Sequence, residues 1–349
     1  MDLKLAEAQV TGWAKKYSQI LGLHKTNIKA IYIHNPGGFV NQSFRLSDGE
    51  TSLHVKFADD RRAPHLKQWA SLNEYLSKNH HSPRLIHEVA EEVLPGFRYG
   101  LVFEYINGKP LEDVAEPLPV VQEVFKSLKR IHSDTYIKKV LGMKEKTTLS
   151  EAFVAEYISR FEEDLLIIRS GRNLLDFVSD ESLDWFYSEL QALKQMVSQL
   201  HCFQRQAADV VHNDLNWQNI LVNNQNHFWI IDWDDLTAAG DAAMDYTVLL
   251  WPFYRSEEWP AWKNKMALVL DKEMVERMSV YFRAKLLDDV IDVLADYVEA
   301  EGFPDVKEAA QLQAKETHLC AFQTYRERYG DSKKLGQANW ITSSFRRAR

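Results

Sequence analysis

The sequence predicts an α+β protein in which an N-terminal antiparallel sheet with helices precedes a larger, mostly helical C-terminal part. Short segments rich in β-branched and aromatic residues alternate with turns between residues 28 and 57, and helical spacing dominates after Pro110. No internal repeat or low-complexity tract interrupts this order. The chain has 349 residues, which favours about two structural units.

The N-terminal elements follow from the spacing of apolar residues and from turn residues. Residues 3–22 have apolar positions at helical spacing. The segments "IKAIYIH", "SFRLSD" and "LHVKFA" are separated by "NPGG" and "SDGE", which predicts three strands in a meander. A second helix is expected over residues 64–79, and "RLIHEVAEEV" and "YGLVFEYI" predict two further strands.

The C-terminal part is predicted to contain helices over 117–133, 150–169 and 180–206, with several more from residue 242 onward. Two short apolar runs, "NILVNN" and "HFWIIDWDD", interrupt this pattern and predict a hairpin. The turn residues of "INGKP" place the boundary between the strand-rich part and the helical part near residues 104–110.

Composition narrows the classes of partner. The net charge of −8 disfavours nucleic acid and anionic membranes and is compatible with a cationic ligand. Cys202 and Cys320 have no metal-binding neighbours at short spacing, which argues against a disulfide framework or a zinc site. The N-terminus lacks the features of a signal peptide and no run of 18 apolar residues occurs, so a cytoplasmic protein is expected. The oligomeric state is left open.

The stretch "VVHNDLNWQNILVNN" places polar residues between two apolar runs. His212, Asp214 and Asn219 form an H-x-D-x-x-x-x-N pattern, and Asp232 ends the next apolar strand. Phosphoryl transfer needs this set, because one carboxylate accepts the proton of an attacking hydroxyl while an Asn and a second Asp hold Mg²⁺ on the nucleotide phosphates. We therefore expect Asp214 to be the catalytic base and Asn219 and Asp232 to be the metal ligands.

Two features of the N-terminal strands suit a nucleotide. Gly37 and Gly38 lie in the turn between the first two strands, where a backbone without Cβ can approach phosphates. Lys56 lies inside the third strand between apolar neighbours. ATP and Mg²⁺ are the expected cofactors.

Taken in order, these motifs resemble those of the aminoglycoside phosphotransferase and choline kinase superfamily, small-molecule kinases with a two-lobed, protein-kinase-like fold. The resemblance covers nearly the whole chain: "LVFEYINGKPL" is similar to the hinge, "HNDLNWQNIL" to the catalytic loop, "IIDWDD" to the magnesium loop, and "GDAAMDY" to the segment that braces the catalytic loop. It implies a nucleotide-binding lobe over residues 1–105 and a catalytic and substrate-binding lobe over 106–349.

The resemblance also assigns residues. The nucleotide would be bound by Gly37, Gly38, Asn41, Lys56, Glu74, Glu104 and Ile106, with the hinge acting through its backbone. Glu74 is the only carboxylate between Arg61 and His87, so it is the candidate partner of Lys56. His212 would brace the loop. Asn213 stands where the aminoglycoside branch commonly has glycine, and the nucleotide loop lacks a full G-x-G-x-x-G.

The resulting hypothesis is an ATP-dependent phosphotransferase that acts on a hydroxyl of a small, amine-bearing molecule, either aminoglycoside-like or choline-like. Asp234, Asp288 and Asp292 are the candidate substrate contacts; the last two share a helix face with Asp296, for which a solvated face is the alternative. A kinase-like binding or structural protein with little turnover is the rival function. Phosphorylation of proteins is disfavoured, because no activation segment with a Pro-Glu ending follows Asp232.

Overall fold

The structure is a computed structural model that describes residues 2–33, 41–142, 147–302 and 307–330. These residues form two compact units: unit 1 comprises residues 1–146 and 207–252, and unit 2 comprises residues 147–206 and 253–349, apart from the gaps just given. The predicted α+β class, with an antiparallel N-terminal sheet and a mostly helical C-terminal part, is confirmed. The predicted lobe boundary at residue 105 does not coincide with this division and stays a prediction.

The secondary structure alternates in the first 142 residues and becomes mainly helical later. The first elements are α1 (Leu3–Lys16), β1 (Lys29–Ile33), β2 (Asn41–Ser47), β3 (Ser52–Ala58), α2 (Ala63–Asn79), β4 (Leu85–Val89), β5 (Tyr99–Glu104), β6 (Lys109–Pro110), α3 (Leu118–His132) and α4 (Thr135–Leu141). They are followed by α5 (Leu149–Phe153), α6 (Ser159–Ser170), α7 (Asp180–Gln199), β7 (Asp209–Val211), β8 (Ile220–Val222), β9 (Phe228–Ile230), β10 (Thr237–Gly240), α8 (Ala242–Tyr254), α9 (Trp259–Val269), α10 (Lys272–Glu299) and α11 (Lys307–Tyr329). Among the described residues, no helix is long and apolar enough to cross a bilayer.

The main sheet of unit 1 has five antiparallel strands in the order β1-β2-β3-β5-β4. Alternation of apolar residues buries Phe44, Val55 and Phe57 completely, and α1 packs against the first two strands. Lys56 lies in the middle of β3 opposite Ser43 and Leu101, so two flanking strands fix its backbone.

Short antiparallel strands flank the polar segment that follows residue 210. The strand order β6-β8-β9 forms one small sheet, and β7 pairs with β10 in another. The predicted hairpin of "NILVNN" and "HFWIIDWDD" is therefore present as β8 and β9. The pairing of β7 with β10 was not predicted, because strands of three and four residues are too short to show a period.

Two predicted helices end earlier than expected. The first stops at Lys16, after which a turn ends at Gly22 with φ +66°. The helix itself ends before Tyr17, whose φ of −105° and ψ of 14° are no longer helical. The helix predicted over 180–206 stops at Gln199, since Leu200 is extended with φ −72° and ψ 122°.

Unit 2 is built around α10, which packs against α6, α7, α9 and α11. Glu189, Arg283 and Tyr325 form a hydrogen-bonded group in its interior, here called the core triad. All three side chains are at most 3% exposed. Each polar end of the core triad therefore finds its partner on another helix, as a buried charge requires.

Candidate functional site

The loop between β7 and β8 presents Asp214 to solvent. Its carboxylate accepts hydrogen bonds from Asn216 Nδ2 and Asn219 Nδ2, each at 2.8 Å, and the Asn219 amide also donates to the carbonyl of Asp214 at 2.8 Å. Asn216 in turn caps the short turn over Trp217–Asn219. The carboxylate is thus exposed but oriented, which is the condition for a base that must meet a substrate.

His212 lies behind this loop and is fully buried. Its Nε2 is 2.9 Å from the carbonyl of Ile231, and its Nδ1 accepts the amide of Asp214 at 3.3 Å, so the ring carries its proton on Nε2. Asp245 accepts the amide of His212 at 3.0 Å and contacts His132 at 3.0 Å. Through these contacts His212 holds the backbone of the loop in place, which agrees with the structural role expected from the sequence.

Two residues of the site have left-handed backbones. Asn213 has φ +71° and Asp232 has φ +67°. Asn and Asp are the non-glycine residues that tolerate this region best. The position where glycine is common in the aminoglycoside branch is therefore occupied by Asn213, whose Nδ2 also donates to the carbonyl of Asp235 at 2.9 Å.

The β8–β9 hairpin brings the two expected metal ligands to one end. Ile220 pairs with Ile230, and the amide of Ile231 donates to the carbonyl of Asn219 at 2.9 Å. Asn219 precedes β8 and Asp232 follows β9, so both side chains start from the same end of the hairpin. The rigid strands fix their spacing, as the sequence analysis required.

Lys56 meets this loop through its ammonium group, which donates to Asp232 and, at 3.2 Å, to Asp234. Arg62 adds its guanidinium to Asp234 at 3.3 Å and to Asp235 at 2.9 Å. We call these five residues the site cluster. It contains two cations and three carboxylates, so it carries excess negative charge.

The pKa values of three groups in the site cluster reflect the charges around them. Burial would raise the pKa of the Asp234 carboxyl, but Lys56 and Arg62 outweigh it and hold that pKa below its usual range. Burial and the neighbouring Asp234 raise the pKa of the Asp232 carboxyl above its usual range, although Lys56 opposes them. For Lys56, burial alone would lower the pKa, but the Asp232 and Asp234 carboxylates outweigh it and raise the pKa. A carboxylate that is hard to ionise beside another carboxylate is a position where a further cation is favoured.

The donor set at this end of the hairpin fits the Mg²⁺ that the sequence predicts. Magnesium prefers oxygen ligands and is usually held by one or two carboxylates together with substrate phosphates. Asp232 and Asn219 offer a carboxylate and an amide oxygen from one hairpin end, and the Asp232 side chain is 27% exposed. The Asp234 side chain is only 4% exposed and is engaged by Lys56 and Arg62.

The predicted pairing of Glu74 with Lys56 is wrong. Glu74 lies on the outward face of α2, its side chain is 86% exposed, and it binds Lys78 at 2.7 Å. The buried face of the helix is formed instead by residues such as Trp69 and Asn73. Helical periodicity therefore turns Glu74 away from the site, and its assignment to the nucleotide has no support in the geometry.

The other predicted nucleotide residues lie in three places. Asn41 begins β2 and donates from Nδ2 to Asp234 at 3.2 Å. Glu104 ends β5 and its side chain accepts the amide of Arg84 at 2.9 Å, while the carbonyl of Ile106 accepts the amide of Gly108 at 3.0 Å. Gly37 and Gly38 lie outside the described residues. The roles of these positions in nucleotide binding stay predictions.

Sequence reasoning missed the contribution of α2 to the site. Arg62 precedes the helix, and His65 and Gln68 follow at intervals of three residues. The His65 ring contacts the carbonyl of Asp234 at 3.1 Å, and Gln68 donates to the carbonyl of Leu236 at 2.6 Å. Nothing in the local sequence separates these residues from solvated helix positions, because their partners lie about 170 residues away.

The acidic helix face falls within unit 2. Asp288 is buried and contacts both Arg160 and Lys285, so two cations of the same unit already balance its charge. Asp292 is half-buried, and burial together with Asp288 and Asp296 raises the pKa of its carboxyl to about 7. The substrate roles of Asp288 and Asp292 stay predictions, and the cations make a ligand unnecessary for Asp288.

The fold and the loop define a class of protein, the small-molecule phosphotransferases with a protein-kinase-like fold. The model of the phosphotransferase enzyme family matches residues 33–269, which is more than half of the chain. The chain belongs to this family. The resemblance to the aminoglycoside phosphotransferase and choline kinase superfamily is thereby confirmed.

Solved structures show the same fold at low sequence identity. Aminoglycoside 2'-phosphotransferase-IIIa in its GDP complex is 13% identical, with 90% of this chain and 98% of that chain covered at a TM-score of 0.60. Spectinomycin phosphotransferase in complex with ADP and spectinomycin is 15% identical, with coverage of 92% and 94% at a TM-score of 0.51. Plasmodium vivax ethanolamine kinase is 12% identical, with coverage of 86% and 81% at a TM-score of 0.52.

Proposed function

We propose that the chain transfers the γ-phosphoryl group of ATP to a hydroxyl group of a small, amine-bearing molecule. The observation that carries this proposal is the loop geometry: Asp214 is exposed and held by Asn219, and Asn219 shares one end of a rigid hairpin with Asp232. The family match and the nucleotide complexes of the structural neighbours support the same reading.

In the proposed reaction, Asp214 accepts the proton of the acceptor hydroxyl. The hydroxyl oxygen then forms a bond to the γ-phosphorus while the bond from that phosphorus to the β–γ bridging oxygen breaks, so ADP leaves with the electron pair. Asn216 and Asn219 orient the Asp214 carboxylate through hydrogen bonds of 2.8 Å. The fixed loop supplies positioning, the main source of catalysis in this chemistry.

The phosphates are assigned to the site cluster and the adenine to the strand end beyond β5. Lys56 would bind the phosphates, and the backbone at Glu104 and Ile106 would bind the base. Asn219 and Asp232 would hold Mg²⁺, which neutralises charge on the phosphates when bound. The nucleotide is proposed to be ATP, although one structural neighbour is a GDP complex, so GTP belongs in the test.

Turnover with a panel of acceptors tests the function. Amino alcohols, aminoglycosides and neutral sugars are incubated with ATP or GTP and Mg²⁺, and both ADP or GDP release and the phosphorylated product are measured. We expect product with an amine-bearing acceptor and loss of product with Asp214→Asn. If neither wild type nor Asp214→Asn forms a phosphorylated product with any acceptor of the panel, the rival function of a kinase-like binding protein is favoured.

The charge of the acceptor is tested at Asp292. If this residue contacts a cationic group, Asp292→Asn should raise the KM for a cationic acceptor about tenfold and leave the KM for ATP unchanged, because one charged hydrogen bond contributes about 1.5–3 kcal/mol. Asp184→Asn, an exposed position in the same unit, is the control. An unchanged KM for a confirmed cationic acceptor returns Asp292 to a solvated face.

A further inference from the structure

The described contacts give Lys56 no carboxylate from the helix that follows its strand. Glu74 is the only acidic residue of α2, and it binds Lys78 on the exposed side. The contact that α2 does make with Lys56 is aromatic: the Trp69 ring centre lies 5.8 Å from its Nζ. An aromatic face attracts an ammonium group but does not fix the direction of its hydrogen bonds.

The carboxylate of Asp234, in the turn after β9, pairs with Lys56 in place of a carboxylate from α2. Asp234 is 3% exposed, and its Oδ2 lies 3.2 Å from Lys56 Nζ, 3.2 Å from Asn41 Nδ2 and 3.3 Å from Arg62. These three donors come from β3, from β2 and from the residue before α2. One oxygen is thus fixed from three directions.

The two carboxylates beside Lys56 differ in access. The Asp232 side chain is 27% exposed and that of Asp234 is 4% exposed. Asp232 can therefore reach a ligand from solvent, whereas Asp234 is enclosed by protein groups. A buried carboxylate with charged donors keeps its geometry, since leaving it unpaired is costly.

Arg62 is placed to hold Asp234 rather than to replace Lys56. A single guanidinium nitrogen, Nη2, donates to both Asp234 and Asp235, so one group ties the two carboxylates together. His65 fixes the backbone of the same turn by its contact with the carbonyl of Asp234. The start of α2 is therefore fastened to the segment that carries Asp234.

We propose that Asp234, instead of a carboxylate of α2, is the positioning residue for Lys56, and that Arg62 holds Asp234 in place for this role. The proposal rests on the proposed phosphotransfer function. It replaces the substrate contact expected for Asp234, because that carboxylate is enclosed. It also explains how Lys56 remains oriented when Asp232 serves as a metal ligand: its second carboxylate partner does not face solvent.

A double-mutant cycle tests the proposal. Asp234→Asn should lower kcat about 10–100-fold and change the KM of the acceptor little, because it acts through Lys56 and not on the acceptor. In the Lys56→Met background the same change should cost less than about twofold, since residues that act as a unit are not additive. Arg62→Gln, at a partly exposed position, should lower kcat in the same direction by a smaller factor.

The matched control is Asp60→Asn, an exposed carboxylate just before α2 that lies outside the site cluster and is paired with Arg98. It should change kcat less than about threefold. If Asp234→Asn and Lys56→Met instead multiply as independent losses, Asp234 does not act through Lys56 and the proposal is overturned, while phosphotransfer itself stands.

A second measurement does not depend on activity. Wild type, Asp234→Asn, Lys56→Met and the double variant are unfolded with urea in the absence of nucleotide and metal, and the shifts in the unfolding midpoint are compared. We expect the shift of the double variant to differ clearly from the sum of the two single shifts, because Lys56 and Asp234 are in contact. Additive shifts would overturn the coupling. If no acceptor is ever phosphorylated, the proposed function fails but this measurement still decides the contact.

Discussion

The core triad of unit 2 and the site cluster of unit 1 both contain buried ions, but only the core triad is balanced. In the triad, one guanidinium, one carboxylate and one hydroxyl bind one another, and all three side chains are at most 3% exposed. The site cluster has one more carboxylate than it has cations and opens to solvent at Asp232.

The difference indicates which charges serve stability and which serve binding. A balanced buried group is satisfied within the fold, so a ligand has nothing to add. In an unbalanced group the carboxylates repel one another, and a bound cation can remove this repulsion. Perturbed carboxyl pKa values beside a solvent opening are typical of functional sites. Arg62 Nε is buried and has no hydrogen-bond partner among the described residues, which is a second sign that the site cluster is incomplete.

The largest expected effect on stability distinguishes the two groups. Glu189→Gln should destabilise the chain by about 3–5 kcal/mol, because it leaves the charge of Arg283 buried and unpaired. Asp232→Asn should change the free energy of unfolding by less than about 1 kcal/mol, since it removes charge that was in excess. Urea unfolding of both variants measures the contrast.

Replacing the whole buried pair provides the control. Glu189→Leu combined with Arg283→Met should cost much less than Glu189→Gln alone, because no unpaired charge remains. If Asp232→Asn destabilises the chain as strongly as Glu189→Gln, then the site cluster is as structural as the core triad and the contrast is lost.

The next effect compares Lys56 with Glu74, the glutamate that does not pair with it. Lys56→Ala should lower kcat/KM for ATP about 10²–10³-fold, the usual loss when one preorganised charged donor is removed. Glu74→Ala should leave it within about twofold, because Glu74 is exposed and binds only Lys78 among the described contacts. Steady-state kinetics with varied ATP measure both, and equal values for Lys56→Ala and wild type would refute the assignment of Lys56.

The sequence predicted the parts of the site that are local in the chain. The spacing of Asp214, Asn219 and Asp232 reflects one loop and one hairpin, and the hairpin is present as β8 and β9. The alternation in β3 likewise indicated a lysine between apolar neighbours. These features depend on residues fewer than 25 positions apart, so pattern and turn chemistry suffice.

The features that sequence analysis missed depend on distant partners. Arg62 and Asp234 are 172 residues apart, and His132 and Asp245 are 113 apart. Which face of α2 meets the loop is decided by packing against β5 and β4, and this turned Glu74 outward. The lengths of α1 and α7 were overestimated because helical periodicity continues past the residues where the backbone turns.

The smallest effect is a pH dependence within unit 2. Burial raises the pKa of the Asp164 carboxyl to about 6, an effect that Arg160 opposes and that Asp288, Asp296 and Glu163 reinforce. A folded-state pKa above that of an unfolded aspartate means that the stabilisation is complete below about pH 4 and is lost as pH rises through 6. Asp164→Asn should therefore be more stable than wild type by about 1 kcal/mol at pH 8 and not at pH 4.

Thermal unfolding at several pH values measures this effect, and Asp184→Asn, exposed and in the same unit, is the control. An Asp164→Asn stability difference that does not vary with pH would show that the carboxyl does not titrate in this range. In the part of the chain that the structure describes, the Oδ2 of Asp164 has no hydrogen-bond partner, so the neutral amide removes a charge without breaking a bond at that atom.

Calorimetric titration of Mg²⁺–ATP into Asp214→Asn and Asp232→Asn, with turnover measured beside it, tests the central claim most directly. Asp214→Asn should bind the nucleotide like wild type but lose turnover by about 10²–10⁴-fold, because a positioned base has been removed. Asp232→Asn should lose metal-dependent nucleotide binding as well as turnover. If Asp214→Asn turns over normally, or if both variants bind and react alike, the assignment of base and metal ligand on this loop is wrong.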